Sequence, residues 1–411
     1  MRVTALRVFS SIVLCECLVL LTVACGGGNS PPCTGCPPPE VNTFLVAVAE
    51  PTLQSSQLFV FPIDATTGAL GSPSSIAGPE PPISSALVAG QDPATQFLYV
   101  MQLHPAQGLS SQVYGYAMDP KTGVLTEIAS SPYNAPDAIT LSGGAGLNSF
   151  FYVGSIAQFS EGIAPAVEAF GIGEDGSLSS SIAGSPFAAA PFSNEIAGAG
   201  PWLAAASPYL YATETENDTS GGIAAFSIDV NSGVLTPLPG SPFSVPISAP
   251  GKIIYDPLGY VYVTLSTPPP NMQNYIAGYA INASTGALTP VPGSPFSVGS
   301  IAGLALDGSG KFLFTGVDQT QTIDEFQVDS ANGNLTPLAG FKAPVLGPFL
   351  VFGNNLYAPS VSTVTTAPPG GPAIAAFTID ENTGALTPVS GSPFSVAAPV
   401  LAMTAAETIS H

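Results

Sequence analysis

Beyond Arg7 the chain contains no arginine, and only Lys121, Lys252, Lys311 and Lys342 carry positive charge there. Arginine forks and clustered lysines are the usual means of holding phosphate groups, so this scarcity argues against phosphorylated ligands. The acidic excess points the same way. Leaving out residues 1–24, 26 Asp and Glu face four lysines, a formal charge of −22. That balance repels nucleic acid and anionic surfaces. Histidine is limited to His104 and the terminal His411. No Ser/His/Asp order, phosphate loop or zinc motif appears. All five cysteines (Cys15, Cys17, Cys25, Cys33, Cys36) fall near the N-terminus. After that segment there is no long helical periodicity. Charged residues make up only 8% of the chain, so little of any strand faces solvent.

What is present is a repeat. Ile374-Ala375-Ala376-Phe377-Thr378-Ile379 has the β-branched and aromatic content of a buried strand. Asp380 then heads a turn in which Gly384 takes positive φ. In the following strand Pro388 and Pro393 each remove a ladder donor, which places that strand at a sheet edge. The turn glycine recurs as Gly68, Gly123, Gly176, Gly233, Gly286, Gly333 and Gly384, at intervals of 55, 53, 57, 53, 47 and 51 residues. Upstream of each turn lies a second strand, such as Phe97-Leu98-Tyr99-Val100 or Tyr260-Val261-Tyr262-Val263. Small apolar runs such as Ile301 to Leu306 lie further upstream. Each period therefore holds four antiparallel strands, and the chain reads as an all-β, seven-bladed β-propeller. Blades share their cores with neighbours, so the length of 411 residues does not split into separate domains.

The first unit begins at Thr43-Phe44-Leu45, already at its second strand, while Pro399 to Thr404 follows the seventh unit with no blade of its own. Pairing that tail beside Phe44 closes the ring, and a solenoid has no use for such complementarity. The expected organisation is a signal segment at 1–24, a Gly/Pro tether at 25–41 and the propeller at 42–411.

Residues 1–24 carry Arg2 and Arg7 before an apolar run, the pattern of a secretory signal. Leu21-Thr22-Val23-Ala24-Cys25 resembles the bacterial lipobox, which implies lipidation of Cys25 and a place in the bacterial cell envelope. Gly26 after the cysteine implies the outer membrane, facing the periplasm or the exterior. In the tether, Cys33-Thr34-Gly35-Cys36 lacks the βαβ context or following histidine of a redox or haem motif. Zinc lacks two further ligands, so a local Cys33–Cys36 disulfide is expected.

The loops after second strands vary in length: His104 to Ser110, Ser155 to Ala164, Thr213 to Gly221, Ser266 to Asn274 and Pro359 to Pro372. Variation on one face of a rigid scaffold marks the expected binding face. His104 there is a candidate general base or an incidental loop histidine. Asp137 and Lys252, at the starts of innermost strands, either line the channel or are salt-bridged or solvated. Glu161, Glu214, Glu216 and Asp218 offer hard oxygens for Ca2+, or serve as solubilising charge.

Seven units with Phe-Leu-Tyr-Val strands and Asp-x-x-Thr-Gly-x-Leu-Thr-Pro turns resemble the seven-bladed lactonase-family propellers, which include 6-phosphogluconolactonases, and the related surface-layer propellers with Tyr-Val-Thr-Asn repeats. The resemblance spans about Asn42 to Thr408 and rests on turn and strand positions. It implies basic and acidic side chains around the channel mouth, a pattern this chain departs from by lacking arginine. Two functions follow as expectations. One is a lipid-anchored monomeric scaffold binding a protein, or a small-molecule or carbohydrate ligand, on the variable-loop face. The other is a lactone or ester hydrolase acting on a non-phosphorylated substrate.

Overall fold

The computed structural model describes residues 40–52, 55–80, 83–90, 96–102, 111–135, 138–147, 149–179, 181–189, 201–217, 220–247, 250–267, 273–316, 321–361 and 372–410. Its strands form seven antiparallel sheets, the blades of a β-propeller. Each blade runs from an innermost first strand to an outer fourth. Blade 5, for example, orders Pro250–Asp256, Tyr260–Ser266, Asn274–Ile281 and Leu288–Pro290.

Blade 1 is completed by the C-terminus. Val400–Ser410 pairs with Glu40–Thr52, with Ala47 opposite Met403 and Phe44 opposite Ala406. The expected closing strand is thus real and reaches beyond Thr404. It also corrects the tether boundary: Glu40 and Val41 belong to the ladder, opposite Ser410 and Ile409. A second bond set ties the closure to blade 2. Thr408 Oγ1 and Asn42 Nδ2 both donate to the Pro120 carbonyl, at 2.6 and 3.1 Å.

The turns follow the expected chemistry. Asp380 Oδ1 accepts from the Asn382 and Thr383 N–H groups at 3.0 and 2.8 Å, and Gly384 has φ of 75°. Side-chain hydroxyls, foremost at Asp119, Asp175 and Asp380, and backbone N–H groups, foremost at Asp64 and Asp229, hold these exposed carboxyls below the ordinary range.

The same glycines join one blade to the next. Tyr99 Oη donates to Gly176 O at 2.8 Å, Tyr152 to Gly233 at 3.0, Tyr211 to Gly286 at 2.8, Tyr262 to Gly333 at 2.9 and Tyr357 to Gly68 at 2.9 Å. Two residues earlier in the strand, an aromatic (or, over Gly68, Asn355) covers the glycine so closely that a Cβ on Gly176 would stand 2.3 Å from Phe97. Around these bonds the buried side chains gather into seven clusters, one per seam between blades.

The fourth strand lies at the edge, as its prolines require, but it is broken in two in most blades. In five blades the serine of a Ser-Pro pair caps an N–H of the third strand beside this edge. The N–H groups of Gly115, Ala169, Ala225, Gly278 and Ala376 donate to Ser131, Ser185, Ser241, Ser294 and Ser392 Oγ, at 2.9–3.2 Å. Two stretches expected as loops are instead ribbon. Phe150–Phe159 pairs with Gly162–Gly171 up to a turn at Ser160-Glu161, and Tyr209–Asn217 pairs with Ser220–Ile228. The extended ladder satisfies backbone groups that a free loop would leave to water.

Two outcomes test this architecture. Deleting the residues after Ala397 is expected to abolish cooperative thermal unfolding, and a truncated chain that melts like the full one would refute closure. Tyr211→Phe leaves the Gly286 carbonyl without its donor. It should lower stability by about 1–2 kcal/mol in denaturant titration, whereas Phe314→Tyr, at a seam lacking the hydroxyl, should not.

Candidate functional site

The innermost strands surround the channel, so their ionisable side chains decide what it can do. Across the seven first strands these are Lys252, Tyr255, Asp256 and Glu407. The rest is small or apolar, as in Leu203–Ala206 or Gly303–Leu306.

Lys252 is half-buried. Its Nζ donates at 3.0 Å to the carbonyl of Leu304, on the first strand of blade 6. The Thr264 hydroxyl donates to the Lys252 carbonyl at 3.4 Å. No carboxylate among the described residues pairs with the ammonium, and burial lowers its pKa to about 8. The lysine is therefore neither salt-bridged nor simply solvated.

Asp256 ends the same strand, fully buried. Its Oδ1 accepts from the Leu258 N–H at 2.8 Å, and its Oδ2 finds no partner. Burial, opposed by that bond, and the nearby Asp307 carboxylate raise it to about 6. Its position at a tight turn makes it a backbone cap.

The other expected residues do not converge. His104, Asp137, Asp218, Cys25, Cys33 and Cys36 lie outside the described residues. Glu161 is exposed at a hairpin turn of blade 3. Glu214 is not on a loop: it is buried in the second strand of blade 4, its backbone opposite Gly222. Glu216 continues that strand. Among the described residues no three His, Cys, Asp or Glu side chains gather into a metal-binding set.

One residue escaped the sequence reading. Glu325, on the third strand of blade 6, stands opposite Phe314. The matching positions of the other blades hold Val60, Gly115, Ala169, Ala225, Gly278 and Ala376. It is 7% exposed, its Oε1 is buried without a hydrogen-bond partner, and burial pushes its carboxyl up to about 7. It is among the residues lining a cleft of about 430 Å³ between the outer edges of blades 5 and 6. Aligning the repeats on their turn glycines would have exposed it.

No family model and no curated protein matches the chain. Solved structures do. A periplasmic gluconolactonase from Pseudomonas aeruginosa superposes with a TM-score of 0.66 at 16% identity, over 89% of this chain and 99% of that one. Candidate 6-phosphogluconolactonases from Bacteroides uniformis and Bacteroides fragilis give 0.64 and 0.62, at 18% and 16% identity. They cover 89% of this chain and 99% and 98% of theirs. The chain has the fold of lactonase-like seven-bladed propellers, and at these identities the likeness is one of fold.

The buried carboxyl makes a pH prediction. The unfolded chain ionises Glu325 near the ordinary 4.5, whereas the folded chain keeps the proton to about 7. Between those values the folded state binds more protons, so stability falls as pH rises and the deficit persists above 7. Glu325→Gln should be neutral at low pH and stabilising by about 1–3 kcal/mol at pH near 8, read from thermal melts across pH. Equal effects at both pH values would refute the assignment.

Proposed function

We propose that this chain is a lactonase-like propeller serving as an extracytoplasmic binding module, tethered through a lipidated Cys25, rather than a phosphosugar lactonase. The observation that carries this reading is the content of the innermost strands. They contribute one cation, Lys252, already bonded to a backbone carbonyl, and no arginine exists beyond Arg7. A phosphoryl dianion would meet a strongly acidic protein with no bidentate partner. A single ion pair contributes only about 0–1 kcal/mol at an exposed site. The periplasmic gluconolactonase neighbour and the signal-like N-terminus support a place outside the cytoplasm.

A second reading has its own support. An ammonium brought to about pKa 8 can lose its proton near neutrality, so Lys252 has the chemistry of a general base toward an uncharged lactone.

Purified protein is expected to leave the spontaneous hydrolysis of 6-phosphogluconolactone unchanged in a coupled assay. Uncharged gluconolactone separates the two readings: a rate rising through about pH 8 and lost in Lys252→Ala would carry the hydrolase. For the anchor, Cys25→Ser should move the protein from the membrane fraction to the soluble one, and unchanged partition would refute lipidation.

A further inference from the structure

Blade 6 breaks the edge pattern of its sisters. From Leu288 to Phe296 blade 5 takes eight steps and includes Ser294-Pro295. From Leu335 to Phe341 blade 6 takes six, and the Ser-Pro pair is gone. The N–H that a serine caps elsewhere belongs here to Glu325. It points toward the shortened edge, as its counterpart in blade 5 does, and no described residue accepts from it.

The cleft of about 430 Å³ opens beside this gap, in the size range of small-molecule sites. Phe296 of blade 5 and Phe326 of blade 6 supply apolar wall. Asp324 supplies a carboxylate: its Oδ2 accepts from the Gly299 N–H at 3.0 Å, and its Oδ1 takes no bond from any described residue. The lining thus presents an acceptor and a donor that no described residue engages, within one apolar-walled cleft.

We propose that this cleft binds a neutral polyhydroxylated ligand, a saccharide in class. A cation would satisfy the carboxylate but accept nothing from the Glu325 amide. An anion would accept from the amide but meet Asp324 and a protein of formal charge −21. A metal ion would find no third acidic or histidine ligand among the described residues. A hydroxyl both donates and accepts, as the serine hydroxyl does in the five sister blades, and the C–H face of a sugar ring packs on Phe296 and Phe326. The inference deepens the binding-module reading by naming a ligand class. It places the ligand away from the channel, so the discovery of lactonase activity would overturn that reading and leave this one standing.

The test titrates the full chain with glucose, maltose, cellobiose and chitobiose, with ethylammonium and gluconate as charged counterparts. Saturation-transfer NMR and calorimetry provide the readouts. At least one neutral sugar should bind, with ethylammonium and gluconate weaker. Asp324→Ala should weaken that binding by about tenfold or more. A variant that inserts Ser-Pro between Gly340 and Phe341 together with Glu325→Ala restores the sister-blade pattern. It should melt no lower than the parent at low pH and above it at pH near 8, once the buried carboxyl is gone, and bind no sugar, while Lys252→Met should bind as the parent does. The proposal is overturned if no neutral sugar shows saturation transfer at millimolar concentration. It is equally overturned if a charged counterpart binds best, if the Ser-Pro variant still binds, or if Lys252→Met abolishes binding.

Discussion

The ring depends on a hydroxyl read by the next blade. A second-strand tyrosine reaches across each of five seams to the carbonyl of a turn glycine, with an aromatic or asparagine side chain of its own strand lying over that glycine. The net contribution of one such bond is about 1 kcal/mol, small beside the apolar surface each seam buries. Its importance is geometric. Hydrophobic contact between two sheets tolerates sliding, whereas a buried donor with one acceptor does not. The glycine is required twice, by its positive φ and by the ring above it. Turn, aromatic and tyrosine therefore act as one unit, which is why they recur together.

The two seams without the tyrosine are instructive. Between blades 1 and 2, Val46 occupies the position, and the terminal ladder compensates through Thr408 and Asn42 onto Pro120. Closure of the ring and docking of blade 2 are thereby the same event. Between blades 6 and 7, Phe314 occupies it and brings no hydroxyl. Opposite that phenylalanine stands Glu325, and beside it the edge strand has lost its Ser-Pro pair. A repeat protein has a strong consensus for stability, so three departures in one blade mark a place where something besides stability is served.

How far these features were legible in the sequence follows from what each signal depends on. Turn glycines at near-regular spacing and a second strand beginning at Thr43 already require seven blades and a borrowed strand, since only local patterning and a count of strands are involved. The Tyr-to-Gly bond was not legible, because donor and acceptor lie in different repeats and a tyrosine in Phe-Leu-Tyr-Val reads equally well as core. The ribbon over residues 155–164 is not legible, because ladder pairing depends on a partner strand whose register local sequence does not announce. Glu325 looks like any polar residue between Asp324 and Phe326. Only its place in the repeat, where the sister blades keep Gly, Ala or Val, shows that it is buried.

Charge finally separates what the surface and the interior can select. Exposed carboxylates at the turns, held ionised by hydroxyl and backbone N–H donors, surround the molecule with negative potential. Beyond a Debye length of about 8 Å that field is screened, but an anion entering the channel or the blade-6 cleft must approach within it. Cations are drawn in, yet an ammonium group by itself offers no acceptor to a backbone N–H that no described residue engages. Neutral ligands feel neither effect, and their binding is decided by hydrogen-bond inventory and by apolar wall. A chain that has given up arginine and kept four lysines outside its N-terminal segment has removed the usual reward for anionic substrates. The remaining discrimination rests with short-range polar groups, and in blade 6 the Asp324 Oδ1 and the Glu325 N–H, which no described residue engages, lie beside aromatic walls.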